Sequence, residues 1–273
     1  EIRLSLVGSE MCIGDRGTPK RGKLYADDII RQEPPSLQDE HGHAQACISV
    51  MHQVIDGANA MILAQAAKSF PKQWTKLTPQ MVTVASWVGY DLDGRRDIKW
   101  SDTIRLKLGE KVAKLADYCA QGEAIAAALK TPPKGLVDFI AQAQKALAIA
   151  QAEQAAFEQD LTVGENLAAA AKLLTTAQPG RWVDTAPALK CLNASIQQAS
   201  QNKVNRRLLV LRAHMKRCGL GTARLHLRVN AQQVLTAIGA HVPVTGNDRL
   251  NSRTFLRRVS KFAEKVKATE SDF

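Results

Sequence analysis

Two short β-type segments are set among long helix-forming stretches, and this limits the folds open to the chain. Residues 79–88 are rich in β-branched side chains, with Pro79 at the start and Gly89 behind. That pattern predicts a buried strand running into a loop. Residues 223–229 alternate apolar and polar side chains, which predicts a second strand. Either strand alone would leave a row of unpaired backbone groups. The two must therefore pair with each other, or with strands from other parts of a longer chain.

The rest reads as helix. Pro34-Pro35 precedes residues 36–39, a capping-box variant with Asp39 in place of the usual Glu. In the helix that follows, Ile48, Met51, Ile55, Ala58, Ile62 and Ala66 recur at three- and four-residue steps, and Pro71 ends it. Ser101 and Asp102 are placed to cap a second helix reaching about Leu129, with Ile104, Leu108, Val112, Leu115, Tyr118 and Cys119 on its apolar face. Residues 136–158 and 162–177 are rich in Ala, Gln and Leu, good helix formers suited to long antiparallel pairs. Residues 190–201 and 206–217 are expected to be helical, and 219–222 a turn. Beyond the second strand, 230–238 and 251–268 read as further helices.

The net charge of +11 admits an anionic partner. The basic residues are spread along the chain except in 249–267, and aromatic residues make up only 5%, leaving few platforms for base stacking. Nucleic-acid binding by that basic segment is one alternative; a helical interaction module built on the Ala/Gln-rich helices is another. Cys12, Cys47, Cys119, Cys191 and Cys218 are scattered, with no CxxC pair. They are expected to be small buried hydrophobes in a reducing, cytoplasmic setting, neither disulfides nor a zinc site. No unbroken run of about 18 apolar residues occurs, so no membrane span is expected.

The segment that carries chemistry is Ser86-Trp-Val-Gly-Tyr-Asp-Leu-Asp-Gly-Arg95. It lies where the first strand becomes a loop, the place where barrel enzymes set their sites. Gly89 and Gly94 open backbone conformations closed to other residues. Asp91 and Asp93 can bond nearby amides in a tight turn, and Arg95 and Arg96 add positive charge. This stretch is similar to the SWMGGDRDGNP motif of phosphoenolpyruvate carboxylases. Ser86, Trp87, Gly89, Asp91, Asp93 and Gly94 match. Tyr90, Leu92, Arg95 and Arg96 depart, Leu92 standing where the motif has an arginine.

The second strand, Gly221-Thr-Ala-Arg-Leu-His-Leu-Arg-Val-Asn230, resembles the strand of the same family that ends in D-I-R-Q-E-S, and looks like a divergent bacterial branch. Arg228 falls on the motif arginine, which lies at the substrate site in the family; His226 replaces the Asp, and 229–231 replace Gln-Glu-Ser. The resemblance spans most of residues 37–238, although only the two strand segments are specific.

It implies a mainly α fold: a long-helix fragment of an α-rich α/β barrel, with two or three barrel strands. It further implies an enzyme that joins phosphoenolpyruvate and bicarbonate to give oxaloacetate and phosphate, using Mg2+ or Mn2+, and a homo-oligomer when complete. The implied substrate-binding residues are Trp87, Asp91, Asp93, Arg95 and Arg228. The family's TAHPTE segment, with its catalytic histidine, and its GRGGxVGRGG loop are not found in the sequence. No catalytic residue and no metal ligand is therefore assigned, and the chain is expected to be inactive alone. His41, His43 and His52 are expected on a helix surface. Residues 1–16 resemble a translated sequencing-adapter read-through, so the enzyme-like part is expected to be 17–273.

Overall fold

The computed structural model describes residues 36–90, 98–198 and 202–225. All but Ser36 belong to one compact unit, Leu37–Phe273. The described part is mainly helical. In chain order it comprises α1 (Leu37–Ser69), a 3-10 turn (Trp74–Lys76), β1 (Ala85–Ser86), α2 (Trp100–Ala126), α3 (Lys134–Phe157), α4 (Gly164–Thr175), α5 (Ala186–Gln198), α6 (Asn202–Cys218) and β2 (Arg224–Leu225).

The helices stand close to where the periodicity puts them. α1 opens directly after Ser36. α2 begins slightly earlier than expected: Lys99 is the N-cap, and Asp102 accepts the Lys99 backbone N–H at 3.0 Å from the first turn, reversing the capping role read for Asp102. The helices expected over 230–238 and 251–268, and the leader expected over 1–16, lie outside the described residues.

α2 and α3 form an antiparallel pair, Gly122 lying against Phe139 and Lys111 reaching Glu153. Their approach explains the alanine content. Ala143, Ala146 and Ala150 recur along one face of α3 and are fully buried or nearly so. A Cβ on Gly122 would stand 2.9 Å from the Phe139 ring. Interiors packed this tightly cannot absorb extra methylenes without shifting. Ala143→Leu is therefore expected to cost about 1–3 kcal/mol by urea denaturation, whereas Ala148→Leu, on the exposed face of the same helix, should stay within about 0.5 kcal/mol.

α3 also packs on α4 and α5, and α6 packs on α1, α2 and α5. The main core joins Leu63, Trp74, Leu115, Tyr118, Leu136, Phe139, Leu192, Leu208, Leu211 and Met215. A buried trio pins α4 to α3. Glu153, 1% exposed, pairs with Lys111 at 3.1 Å and with Arg181 at 2.6 Å. The Arg181 guanidinium also donates to the carbonyls of Leu173, Leu174 and Thr176, groups otherwise orphaned at the C-terminal end of α4.

Two expectations are corrected. The buried stripe of α1 is Ile48, His52, Ile55, Asn59 and Leu63, not the stripe through Met51 and Ala58; Met51 is 46% exposed. The helix has turned so that two polar side chains enter the interior, where His52 finds a partner. His52 is thus not a surface residue, although His43 is exposed. The segment 79–88 is also not a buried strand. Only Ala85–Ser86 form a ladder, and Met81, Val82 and Trp87 are exposed. β-branched composition favours a pleated, half-buried surface, but it cannot supply the neighbouring strands that would cover one.

α1 is long and apolar enough to cross a membrane by length and composition. It buries His52 and Asn59, and its Asp56 carries an ion pair to α6.

Candidate functional site

β1 and β2 are parallel neighbours, with Ala85 opposite Arg224 and Ser86 opposite Leu225. The Arg224 N–H donates to the Val84 carbonyl at 2.8 Å. The described parts of both segments singled out in the sequence therefore lie side by side and run in the same direction. Trp87 follows β1 directly and is 47% exposed, with the Ser86 hydroxyl accepting the Val88 N–H and the Trp87 carbonyl accepting the Tyr90 N–H at 2.9 Å. The turn requires Gly89: its φ is +89°, and a Cβ there would stand 2.5 Å from Leu106. Asp91, Asp93, Arg95 and Arg228 lie outside the described residues, so of the five expected site residues only Trp87 is placed.

The loop is anchored through Tyr90, where the motif of the family has glycine. Tyr90 is 1% exposed and donates its hydroxyl proton to Glu110 of α2 at 2.8 Å. Glu110 also accepts from His41 at 3.2 Å and Gln45 at 3.2 Å, both on α1, and from Lys107 at 2.9 Å. Burial pushes the Glu110 carboxyl up, but the His41 bond and the Lys107 charge outweigh it and bring it down to about 2. Burial and the adjacent carboxylate push the Tyr90 hydroxyl well above its ordinary value. Glu110 thus ties Tyr90, at the start of the loop, to two helices.

A second polar cluster joins α1, α2 and α6. His214 of α6 lies between two carboxylates, with Nδ1 2.5 Å from Asp56 and Nε2 3.3 Å from Asp117. Arg217 donates to the other Asp56 oxygen at 2.7 Å, and Lys114 donates to Asp117 at 3.1 Å. Burial pulls the His214 ring down, but the hydrogen bonds to Asp117 and Asp56 dominate and hold it up at about 10. Its Nε2 also lies 3.0 Å from Lys114 Nζ, with Asp117 within reach of both. His52 reaches the Thr222 carbonyl at 2.5 Å, just ahead of β2. A cavity of about 310 Å³ opens here, with His52, Asp56, Lys114, Asp117, His214 and Thr222 among its walls.

The sequence reading passed over this cluster. The signal was present: His52 and Asp56 are four apart, Lys114 and Asp117 three apart, and His214, Arg217 and Cys218 span four positions. Each set therefore occupies one helix face. Among the described residues, no group of three or more His, Cys, Asp or Glu side chains is placed to hold a metal ion. A larger cleft of about 730 Å³ at the end of α1 is apolar, with Ile62, Phe70, Trp74 and Leu77 among its walls, and touches neither polar cluster.

No family model, no curated protein and no solved structure matches the chain.

Proposed function

We propose that the chain is part of an enzyme resembling phosphoenolpyruvate carboxylases, which carboxylates phosphoenolpyruvate with bicarbonate to give oxaloacetate and phosphate. The observation that carries this reading is the parallel pairing of Ala85–Ser86 with Arg224–Leu225. The two segments that resemble one family, far apart in the chain, are neighbours in the fold. In this reading they are adjacent strands of an α-rich α/β barrel, with the substrate at their C-terminal ends.

Arg228 and Arg95 then bind the phosphate and carboxylate of the substrate, since a guanidinium fork matches either anion with two parallel hydrogen bonds. Asp91 and Asp93 shape the loop beside them, and Trp87 forms a wall. Tyr90 and Glu110 fix where that loop begins. The Mg2+ or Mn2+ implied by the resemblance supplies charge to stabilise an enolate. Among the described residues no group is placed to hold such an ion, so its ligands would come from residues other than these. The catalytic histidine would likewise come from elsewhere, and assembly into a homo-oligomer in the cytoplasm belongs to the same reading.

An oxaloacetate-coupled assay with Mg2+ or Mn2+ tests the proposal on the chain and on its full-length parent. Turnover is expected from the parent and none from the chain. In the parent, Arg228→Ala should lower kcat/KM by about 10²-fold or more, the scale for losing a donor to a developing charge; Arg224→Ala should matter far less. An inactive but folded parent would sink the reading. An active parent indifferent to Arg228→Ala would sink the assignment of that residue.

A second reading, a helical interaction module, is favoured by Val50, Val54 and Met61, which are 58%, 63% and 74% exposed along one side of α1. Apolar surface of that kind marks contact with another segment or chain. Light scattering that shows concentration-dependent assembly, with an inactive parent, would favour it.

A further inference from the structure

The polar cavity between α1, α2 and α6 carries on its wall an amine that the carboxylation reading does not use. Lys114, 6% exposed, is the one buried lysine among the described residues. An ammonium withdrawn from water must be held by partners. Lys114 Nζ donates to Asp117 at 3.1 Å and lies 3.0 Å from His214 Nε2, with the Tyr118 ring centroid 5.8 Å away. His214 is oriented in turn: its Nδ1 is 2.5 Å from Asp56, whose other oxygen is held by Arg217. One nitrogen therefore has both a carboxylate and an imidazole within hydrogen-bond reach, and a second carboxylate fixes the imidazole. A nucleophile beside an acid–base group that a third group orients is the arrangement of covalent catalysis.

The cavity gives a small molecule access to that nitrogen. Its walls include Ser49 and Gln53, which are exposed, and His52, Lys114 and His214, which are buried. The 310 Å³ space thus reaches from solvent to the amine. Asp56 and Asp117 on the walls offset Lys114 and His214, leaving no excess of positive charge to draw an anion. Gln45, Gln121 and Thr222 add uncharged polar groups. Thr222 Oγ1 is buried without a partner, and a ligand hydroxyl there would satisfy it. Cys218, the other nucleophile nearby, is not among the walls. Its sulfur sits 3.7 Å from His52 Nε2. Burial pushes that thiol up, but the His214 and His52 contacts outweigh it and bring it down to about 6.

We propose that Lys114 is a covalent binding site for small hydroxylated aldehydes and ketones, which enter this cavity and are held there as a Schiff base. The ammonium passes a proton to Asp117, and the freed amine attacks the carbonyl carbon. A C–N bond forms as the C–O double bond opens. Asp117 returns its proton to the oxygen, and the nitrogen gives up a second one, relayed past His214. The oxygen leaves as water when the C–O bond breaks. The product is an iminium at Lys114, whose positive charge is the one the ammonium carried, and no oxidant or reductant takes part. The inference stands apart from the carboxylation reading.

The test uses the full chain, with dihydroxyacetone as the probe and cyanoborohydride to reduce any iminium to a stable amine. Peptide mass spectrometry locates the adducts. In the folded protein, adduct formation at Lys114 is expected to outrun that at the exposed Lys72 and Lys216 by about tenfold or more, a modest share of what positioned acid and base groups contribute. In guanidinium the three lysines should react alike, since the relay exists only in the fold. Acetone, which has no hydroxyl to offer Thr222, should show a smaller preference for Lys114. A folded-state Lys114 that reacts no faster than Lys72 and Lys216 would overturn the proposal. A preference that persists in guanidinium would do the same, because it would belong to the local sequence. An equal preference with acetone would overturn the hydroxylated class of ligand. Lys114→Arg keeps the charge but has no amine to form the imine, so the fast adduct should disappear from the intact mass; a fast adduct that survives would place it on another amine. The comparison of lysines in the unaltered chain does not depend on that variant folding.

Discussion

Glu153→Ala is expected to destabilise the protein by about 3–5 kcal/mol, the scale for removing one partner from a buried ion pair. Glu153 is 1% exposed, and its two partners, Lys111 and Arg181, are themselves 17% and 13% exposed. Without the carboxylate, both cations remain in a site that water scarcely reaches, which carries a large desolvation penalty. The loss should spread to α4, because Arg181 is oriented by Glu153 while it caps the last carbonyls of that helix. Urea denaturation followed by far-UV circular dichroism reads the change. Glu158→Ala, exposed just past the end of α3, serves as the control and should stay within about 0.5 kcal/mol. A loss at Glu153 below about 1 kcal/mol would show that α4 is held by its apolar contacts alone.

The pH dependence of stability should be nearly flat between about pH 6.5 and 9, and Cys218→Ser should make it steep. The His214 ring is held at about 10 when folded, against about 6.5 when unfolded. A raised cation contributes stability that is fully present below the unfolded value and is lost as pH rises toward the folded one. Cys218 is held at about 6 when folded, against about 8.5 when unfolded. A depressed acid contributes in the opposite sense, its stability being lost as pH falls through the folded value. Across the window the folded chain keeps a proton on His214 and the unfolded chain keeps one on Cys218. The proton counts match, so the slope is near zero. In Cys218→Ser only the histidine remains, with Asp117 and Asp56 still its larger supports. The unfolded chain then binds one proton fewer, and stability should fall by about 1.4 kcal/mol per pH unit, or roughly 3 kcal/mol from pH 6.5 to 9. Denaturation midpoints at four or five pH values measure this. A flat profile in the variant would mean that His214 is not a cation in the fold.

The helices were legible because their evidence is local. The spacing of Leu108, Leu115 and Tyr118 along α2, or the turn at Gly219 after α6, is written within a few neighbouring positions. The same holds for the motif turn, where Gly89 adopts a backbone conformation closed to most side chains. That two β-type segments must each find a partner also followed from the sequence, since unpaired backbone groups cannot be buried without cost.

The partner itself did not follow. Only tertiary structure decides that Ser86 lies opposite Leu225, because pairing depends on how the intervening helices pack. The inward face of α1 is a similar case. Hydrophobic periodicity counts polar residues as outward, so it passes over His52 and Asn59 and chooses Met51. Burial of a polar group becomes acceptable when a bond is waiting for it, as the Thr222 carbonyl waits for His52. Asp56 and His214 are 158 positions apart, and nothing near either one announces the other. The sequence by itself determined where helices form and which turn needs glycine, because those preferences act over a few residues. The charge cluster, and with it the state of Cys218, belongs to the tertiary structure, because electrostatic free energy depends on distances that exist only after three helices have met.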